Sequence, residues 1–566
     1  LNKIAPFLGV ALLLLIPSLS AEAETGQPGT SIKSVRFDGN SLLNDEQIEL
    51  AIAGQLTWPI PDAGLTVQAI QLRKVLSAIL KLYNDTGYDG IAVYVDPSNI
   101  ESANPLRFTD GEVIIRITEG RVGKVSFLFR QNRKSLFRGR SPAEPAEVSR
   151  HLWNDLFAGI QGGPLRRKEL DRRIQILERH PGRSVAAVVK PPKQAEAAED
   201  GLSGEVDVEM RVVDPDPRTV YLAVSRTGLD RDAGESFSLG MLHNNLLGRD
   251  DRLTMTVGGP LSGQVWDNFN IYTSYDQPLW DLHWRNRTYG TYNQFETTDV
   301  LGPDTAFIGE GFLVGNDISW ALIQKDYWSV DIFAGVVYQD SKVDSPFGND
   351  TELGLFDTKI GAALGMSRGI WNGSVSMELH YDLTDVFSLS SQTDFDNNRL
   401  GASPGFWTIR WNGNQRWRIN EWLSFSQTFR AQYANERLPG ARQLAFGGDS
   451  TVRGYENSEV RGDTGVYVIS EPRVKMNVLF PVLDAVPLSI EWVPVALDLG
   501  ISNIVAPFTG EDSSTTILGL GLGARLYFRK YLSGRVFWGY ALRDAGAGRT
   551  TERGDTNIYF QVSLRY

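Results

Sequence analysis

From about Arg218 to Tyr566, apolar and polar positions alternate with period two. Trp328, Val330, Ile332, Ala334, Val336 and Tyr338 fall on one face of an extended segment, with Ser329, Asp331, Phe333, Gly335, Val337 and Gln339 on the other. The runs Val375–Leu383 and Trp407–Asn412 repeat the pattern. At the C-terminus, Ile558, Phe560, Val562, Leu564 and Tyr566 share one face, and Asn557, Gln561, Ser563 and Arg565 the other. Such alternation predicts strands with an apolar neighbour on one side and water on the other. The runs repeatedly reach the roughly 9–11 residues that a tilted strand needs to cross a bilayer. Charged groups occupy the polar face. These two features favour a transmembrane all-β barrel, apolar outside and polar inside, over a soluble β-sandwich. At roughly 22 residues per strand and connection, the segment holds about sixteen antiparallel strands.

Before this segment the pattern is mixed and reads as one α+β unit used twice. In the first, residues 31–120, Ile32–Phe37 is a strand and Gly39-Asn40 a turn. Asn44 or Asp45 caps a short helix. A second helix runs from about Thr66 to Asp85, with Val75, Ile79, Leu82 and Tyr83 at helical spacing, and Gly87 stops it. Strands Ile91–Val95 and Val113–Glu119 close the unit. In the second, residues 121–217, Gly123–Phe129 is a strand, Ala146–Phe157 and Arg166–Arg179 are helices, and Ser184–Lys190 pairs with Glu205–Val213. The Pro/Ala/Glu-rich stretch Pro191–Gly204 reads as a flexible hairpin loop. At the start, Lys3, the apolar run Ile4–Ile16 and Ala21-Glu22-Ala23 form a signal peptide over residues 1–23. That run is shorter than the roughly 20 residues of a spanning helix. A short segment, residues 24–30, follows.

The remaining chemistry narrows the function by what it lacks. A formal charge of −12 over 566 residues argues against nucleic acid as a partner. With no cysteine there are no disulfides or thiolate metal sites, and the five histidines are scattered. No HExxH, GxSxG or Walker pattern occurs. The sequence therefore offers no catalytic residues, no metal site and no cofactor. The basic cluster Arg130, Arg133, Lys134, Arg138 and Arg140 reads either as a solvated loop or as a contact for an acidic substrate segment or lipid headgroups.

Several runs carry a family resemblance. FDGNSLLNDEQI, LYNDTGY, FTDGEVIIRITEGRVGKVSF and LERHPGRSVAAVVKP resemble the paired polypeptide-transport-associated (POTRA) domains of two-partner secretion transporters. Within the barrel half, Phe446 to Tyr455 reads FGGDSTVRGY, and Val452, Arg453, Gly454 and Tyr455 match the VRGY loop of the wider insertase and transporter superfamily. In that superfamily the loop folds into the lumen and its Arg meets an acid on the wall. The matching wall stretch here is Ala496-Leu497-Asp498-Leu499-Gly500, with Ala496 where the family pattern has Phe. The apolar face moves from Leu488, Ile490 and Trp492 to Val495, Leu497, Leu499 and Ile501, so a bulge near Pro494 turns Asp498 inward. In a wet lumen an Arg453–Asp498 pair contributes only about 0–1 kcal/mol and is chiefly positional. Asn244–Asp251 resembles the family's first hairpin, whereas Ser225-Arg226-Thr227-Gly228 departs from it. The terminal Tyr566 resembles the signal read by barrel-assembly machinery, where Phe is commoner.

The resemblance implies an outer-membrane pore with periplasmic POTRA domains, exporting one large, unfolded secreted partner protein. Its other partners are outer-membrane lipids and, during biogenesis, the assembly machinery. An insertase shares the VRGY loop but typically carries more soluble repeats. A passive porin or receptor has no need of a receiver of roughly 190 residues. Some relatives plug the pore with an N-terminal helix, for which the seven residues from Glu24 to Thr30 leave no room.

Overall fold

The computed structural model describes residues 30–103, 106–131, 147–190, 204–214, 217–226, 235–261, 268–298, 306–325, 327–344, 350–546 and 549–566. The expected signal peptide, nearly all of the Pro191–Gly204 loop, and Arg133, Lys134, Arg138 and Arg140 lie outside these residues. The chain separates into two compact units at 215/216.

In the second unit the period-two segment closes on itself. Sixteen antiparallel strands follow in chain order, and the last, Thr556–Arg565, pairs with the first, Arg218–Arg226. Closure is what the alternation demands: lipid offers backbone groups no hydrogen bonds, so a spanning sheet cannot keep an edge. Val220 and Tyr566 complete the seam by exchanging backbone hydrogen bonds of 2.9 and 2.7 Å. The face carrying Leu222, Met241, Phe312, Ile332, Ile360, Leu497, Val536 and Ile558 is exposed to the surroundings, as a lipid-facing surface is. Aromatic pairs mark both rims of that face. Trp284 stacks on Trp320 at 5.5 Å, and Trp407 lies 5.6 Å from Tyr433 at the other end.

Seven strands position the site. They are the seventh and eighth, Trp328–Asp344 and Thr351–Arg368, and the twelfth to sixteenth, Thr464–Lys475, Leu488–Asn503, Ser514–Phe528, Leu532–Ala541 and Thr556–Arg565. Connections at the end where the chain enters the barrel are short, apart from residues 476–487. In the first of these, Asn245 and Asp250 take positive φ, and Asp251 accepts the N–H groups of Leu247 and Arg249 at 3.1 Å. At the opposite end one long connection, residues 435–463, joins the eleventh strand, Leu423–Ala434, to the twelfth.

The first unit holds two α+β modules. In one, Ser34–Asp38 runs parallel to Glu112–Glu119, which pairs antiparallel with Ile91–Val95. Helices Asp45–Ile52 and Ala69–Asp85 cover this sheet through Ile48, Ile52, Val75, Ile79 and Tyr83. Asn44 is the N-cap, closed reciprocally with Gln47. Buried Tyr83 donates to Glu119 at 2.8 Å; burial and then that carboxylate push its phenol well up, so it stays protonated. The longer helix begins at Ala69, not at Thr66, because Leu65–Val67 pairs as a strand with Thr30–Ile32. A hairpin, Ile100–Ala103 with Leu106–Phe108, was not legible in the sequence. In the other module, Glu205–Asp214 lies between Arg121–Gln131 and Ser184–Lys190, and Phe127 packs on Trp153 and Phe157. Helices Glu147–Ala158 and Arg167–Leu177 complete it. Arg167 Nε binds Asp89 at 2.8 Å and ties one module to the other.

Candidate functional site

The connection 435–463 turns back into the barrel. Its limbs pair as a short hairpin, Leu444–Phe446 with Val460–Gly462, and its tip presses on the inner wall. Val452 is fully buried with Leu444, Phe446, Val460, Ile517, Ala541 and Ala545. This is a small dry core inside the lumen, and it seats the tip by ordinary apolar burial.

The four VRGY residues each meet a different part of the wall. Arg453 Nε and Nη2 reach Asp498 Oδ2 and Oδ1 at 2.6 and 2.7 Å, a bidentate fork, and its backbone N–H adds a third bond at 3.1 Å. Its Nη1 donates to Glu471 on the twelfth strand at 2.9 Å. The guanidinium also lies 4.9 Å from the centre of the Phe537 ring. Gly454 N donates to the Tyr559 hydroxyl at 2.9 Å. The Tyr455 hydroxyl sits 3.0 and 2.8 Å from the carbonyls of Leu518 and Arg543. One tripeptide thus touches the twelfth to sixteenth strands.

Asp498 reaches this point through the irregularity at Pro494. Pairing with the fourteenth strand slips between Val493 and Ala496, so Trp492, Val495 and Leu497 are exposed outside while Ala496 and Asp498 are buried inside. The expectation of a wet pair does not hold. The side chains of Arg453 and Asp498 are 2% and 0% exposed. Wall glycines make the dry fit possible. A Cβ at Gly519 would lie 2.1 Å from the Arg453 carbonyl oxygen, and one at Gly539 would lie 2.6 Å from Gly454 N. Burial raises the cost of losing one partner to about 3–5 kcal/mol.

Several members of the site were missed from sequence. Glu471 also binds Arg473 at 2.8 Å and Arg525 at 2.9 Å, and so links two wall cations to the loop. Asp449 in the loop meets Arg535 at 2.6 Å. Phe537 packs with Ala496, Val493 and Tyr559. The ring absent at position 496 is thereby matched by one from a nearby strand. A signal for the seat was available: Leu518-Gly519-Leu520-Gly521-Leu522-Gly523 alternates apolar groups outside with bare backbone inside. Such a run marks a wall approached closely by another segment. Tyr566 is remote from this cluster, at the barrel seam.

Gly454 gives a direct check of the seating. Its φ is +96°, and a Cβ there would come within 2.5 Å of Ala541 N and Tyr540 C. Gly454→Ala combines backbone strain with overlap and should cost the docked tip about 1–3 kcal/mol. The expected result is a normally inserted barrel with more frequent channel openings in planar bilayers. Openings at the wild-type rate would show that the tip does not depend on this contact.

A closed barrel of this kind has counterparts among known proteins. The family described as "Haemolysin secretion/activation protein ShlB/FhaC/HecB" matches residues 204–526, more than half of the chain. The chain belongs to this family. It is 22% identical to the hemolysin transporter protein HpmB of Proteus mirabilis over 468 residues, covering 80% of this chain and 73% of that protein. Among solved structures, CdiB from Escherichia coli matches 97% of this chain and 92% of its own, with a TM-score of 0.67 at 16% identity. BamA from Haemophilus ducreyi lacking POTRA domains 1–3 matches 95% of this chain and 100% of its own, with a TM-score of 0.53 at 12% identity. The structural likenesses are to the fold. As a member of the haemolysin secretion/activation family, the chain is a two-partner secretion transporter of the outer membrane, with a sixteen-stranded barrel preceded by POTRA domains.

Proposed function

We propose that this protein captures one unfolded partner in the periplasm and passes it through the barrel to the cell surface, with the VRGY loop as the movable occluding element. The observation that carries the reading is the loop tip itself, locked by Arg453 onto the inner wall of a closed barrel. Its contacts are side-chain bonds and a small apolar core. They can be released without breaking the barrel's backbone ladder. In this reading, residues 31–120 and 121–217 are two periplasmic POTRA domains, 218–566 is the transmembrane barrel, and Tyr566 is the assembly signal at its seam.

The second α+β module has the features of a receiver. Among the described residues, Arg121–Gln131 is an edge strand of its sheet, with Arg121 and Val122 already bonded to Gly204 and to Gly162 and Gly163. A cavity of about 460 Å³ runs beside it, lined by Val125, Phe127, Phe129, Arg150 and Asn154. An edge offers backbone hydrogen bonds to any extended chain, which suits an unfolded substrate of varied sequence. Removing residues 31–217 should leave a barrel that still inserts, because all sixteen strands and the closing pair remain. Export should fall to background. Heat-modifiable migration of the outer-membrane fraction and the partner's level in the medium measure the two effects. Export at the normal rate would remove the receiver role.

The BamA likeness raises the alternative of an insertase. Comparing the secreted and outer-membrane proteomes of cells with and without the gene separates the two. Loss of one large secreted protein supports export. Broad loss of outer-membrane barrels supports assembly and overturns export as the function.

A further inference from the structure

The loop is fastened to a second arc of the wall, away from the VRGY cluster. Soon after the eleventh strand, the turn Gly440–Arg442 brings Arg442 against the seventh and eighth strands. Arg442 Nε donates to Asp357 Oδ2 at 2.7 Å, and Nη1 reaches Gln339 Oε1. The paired side chains are 5% and 3% exposed. The loop's root is knitted around this contact. Gln432 donates to the carbonyls of Arg442 and Asp463 at 3.0 and 3.1 Å. Asp463, fully buried just before the twelfth strand, accepts from Arg399, from Leu438 N at 3.2 Å and from Val505 N at 2.9 Å.

A guanidinium stays charged wherever it is placed, so burying one is costly unless a carboxylate meets it in good geometry. Arg442 has such a partner on the eighth strand, whereas Arg453 has its partners on the twelfth and thirteenth. Removing Arg453 therefore weakens the hold on the tip but leaves the descending arm attached.

We propose that Arg442 is a second positioning residue of the pore loop: with Asp357 and Gln339 it braces the descending arm, so the loop is a strut held on two arcs of the wall and clears the lumen only when both are released. This rests on the loop being the occluding element, which deletion of the loop tests separately.

The experiment records single-channel openings of the purified full-length protein in planar bilayers. Arg442→Met should raise open probability at least about tenfold, roughly 1.4 kcal/mol. It should raise it again in an Arg453→Met background, toward the loop-deleted level. The exchange Arg442→Asp with Asp357→Arg should lower it from the level of either single change, which a packing role alone does not predict. If Arg442→Met does not insert, Asp357→Asn and Gln339→Leu carry the same expectation with the arginine in place. Openings unchanged by these variants, alone and with Arg453→Met, would overturn the second brace even where loop deletion opens the pore. An exchange that leaves openings as frequent as in the single changes would overturn the pairing.

Discussion

Deleting residues Phe446 to Arg461 should produce a barrel that inserts, conducts through a larger pore than the parent and exports nothing. Insertion should survive because the deleted stretch contributes no strand to the sixteen-membered ring. The root contacts Arg442–Asp357 and Arg399–Asp463 lie outside it and keep the stump against the wall. Conductance should rise because the deletion empties a lumen sector now filled by Phe446, Val452, Tyr455 and Val460 packed on Ile517 and Ala541. Export should stop because an occluding element must also reseat: a pore that cannot close against its wall no longer couples opening to substrate entry. Planar-bilayer recordings and partner levels in the medium read the two effects independently. Unchanged conductance would mean that the loop does not block the ion path, and secretion at the parental level would show that it is dispensable for export.

The fold was legible because its two periods differ. The alternation from Arg218 to Tyr566 has one physical solution in a membrane, a closed barrel, and the length of the segment set the number of strands near sixteen. The α+β modules were legible through caps and stops such as Asn44 and Gly87. Helix starts were less so: Thr66 lies inside an apolar run that suits either element, and pairing with Thr30–Ile32 makes it strand. At the site, Arg453 and Asp498 were readable from a motif and from the phase slip at Pro494. Glu471, Arg442 and Asp357 were not. Glu471 and Asp357 are each one polar residue among many on inward faces, distinguished only by burial beneath a loop whose path no local pattern encodes, and Arg442 belongs to that loop. The dryness of the site was misjudged for the same reason. A lumen is wet only where nothing is folded into it, and Gly519, Gly521 and Gly539 admit the loop at contact distance.

That dryness sharpens what Arg453 and Asp498 should do. The cluster holds three guanidiniums, Arg453, Arg473 and Arg525, around two carboxylates, Glu471 and Asp498. Asp498→Asn keeps the shape of the site but leaves the three cations sharing Glu471 alone. Arg453 cannot discard its proton, so the surplus charge acts as repulsion that drives the tip off the wall. Arg453→Ala leaves two guanidiniums, Arg473 and Arg525, with two carboxylates, Glu471 and Asp498, a set with no surplus charge. Both variants should remain inserted, because the ladder is untouched, and both should lower export. The asparagine variant should show the more frequent openings, by about tenfold or more if a few kcal/mol of docking are lost. The simple exchange, Arg453→Asp with Asp498→Arg, should recover little. It sets a carboxylate on the loop against Glu471, where Arg453 now binds at 2.9 Å, and brings a guanidinium on the thirteenth strand toward Arg525. Adding Glu471→Gln to the exchange removes the first repulsion and should recover more than the exchange alone. Full recovery by the simple exchange would show that Glu471 takes no part in holding the loop. Equal openings in Asp498→Asn and the parent would show that the buried fork does not keep the pore closed.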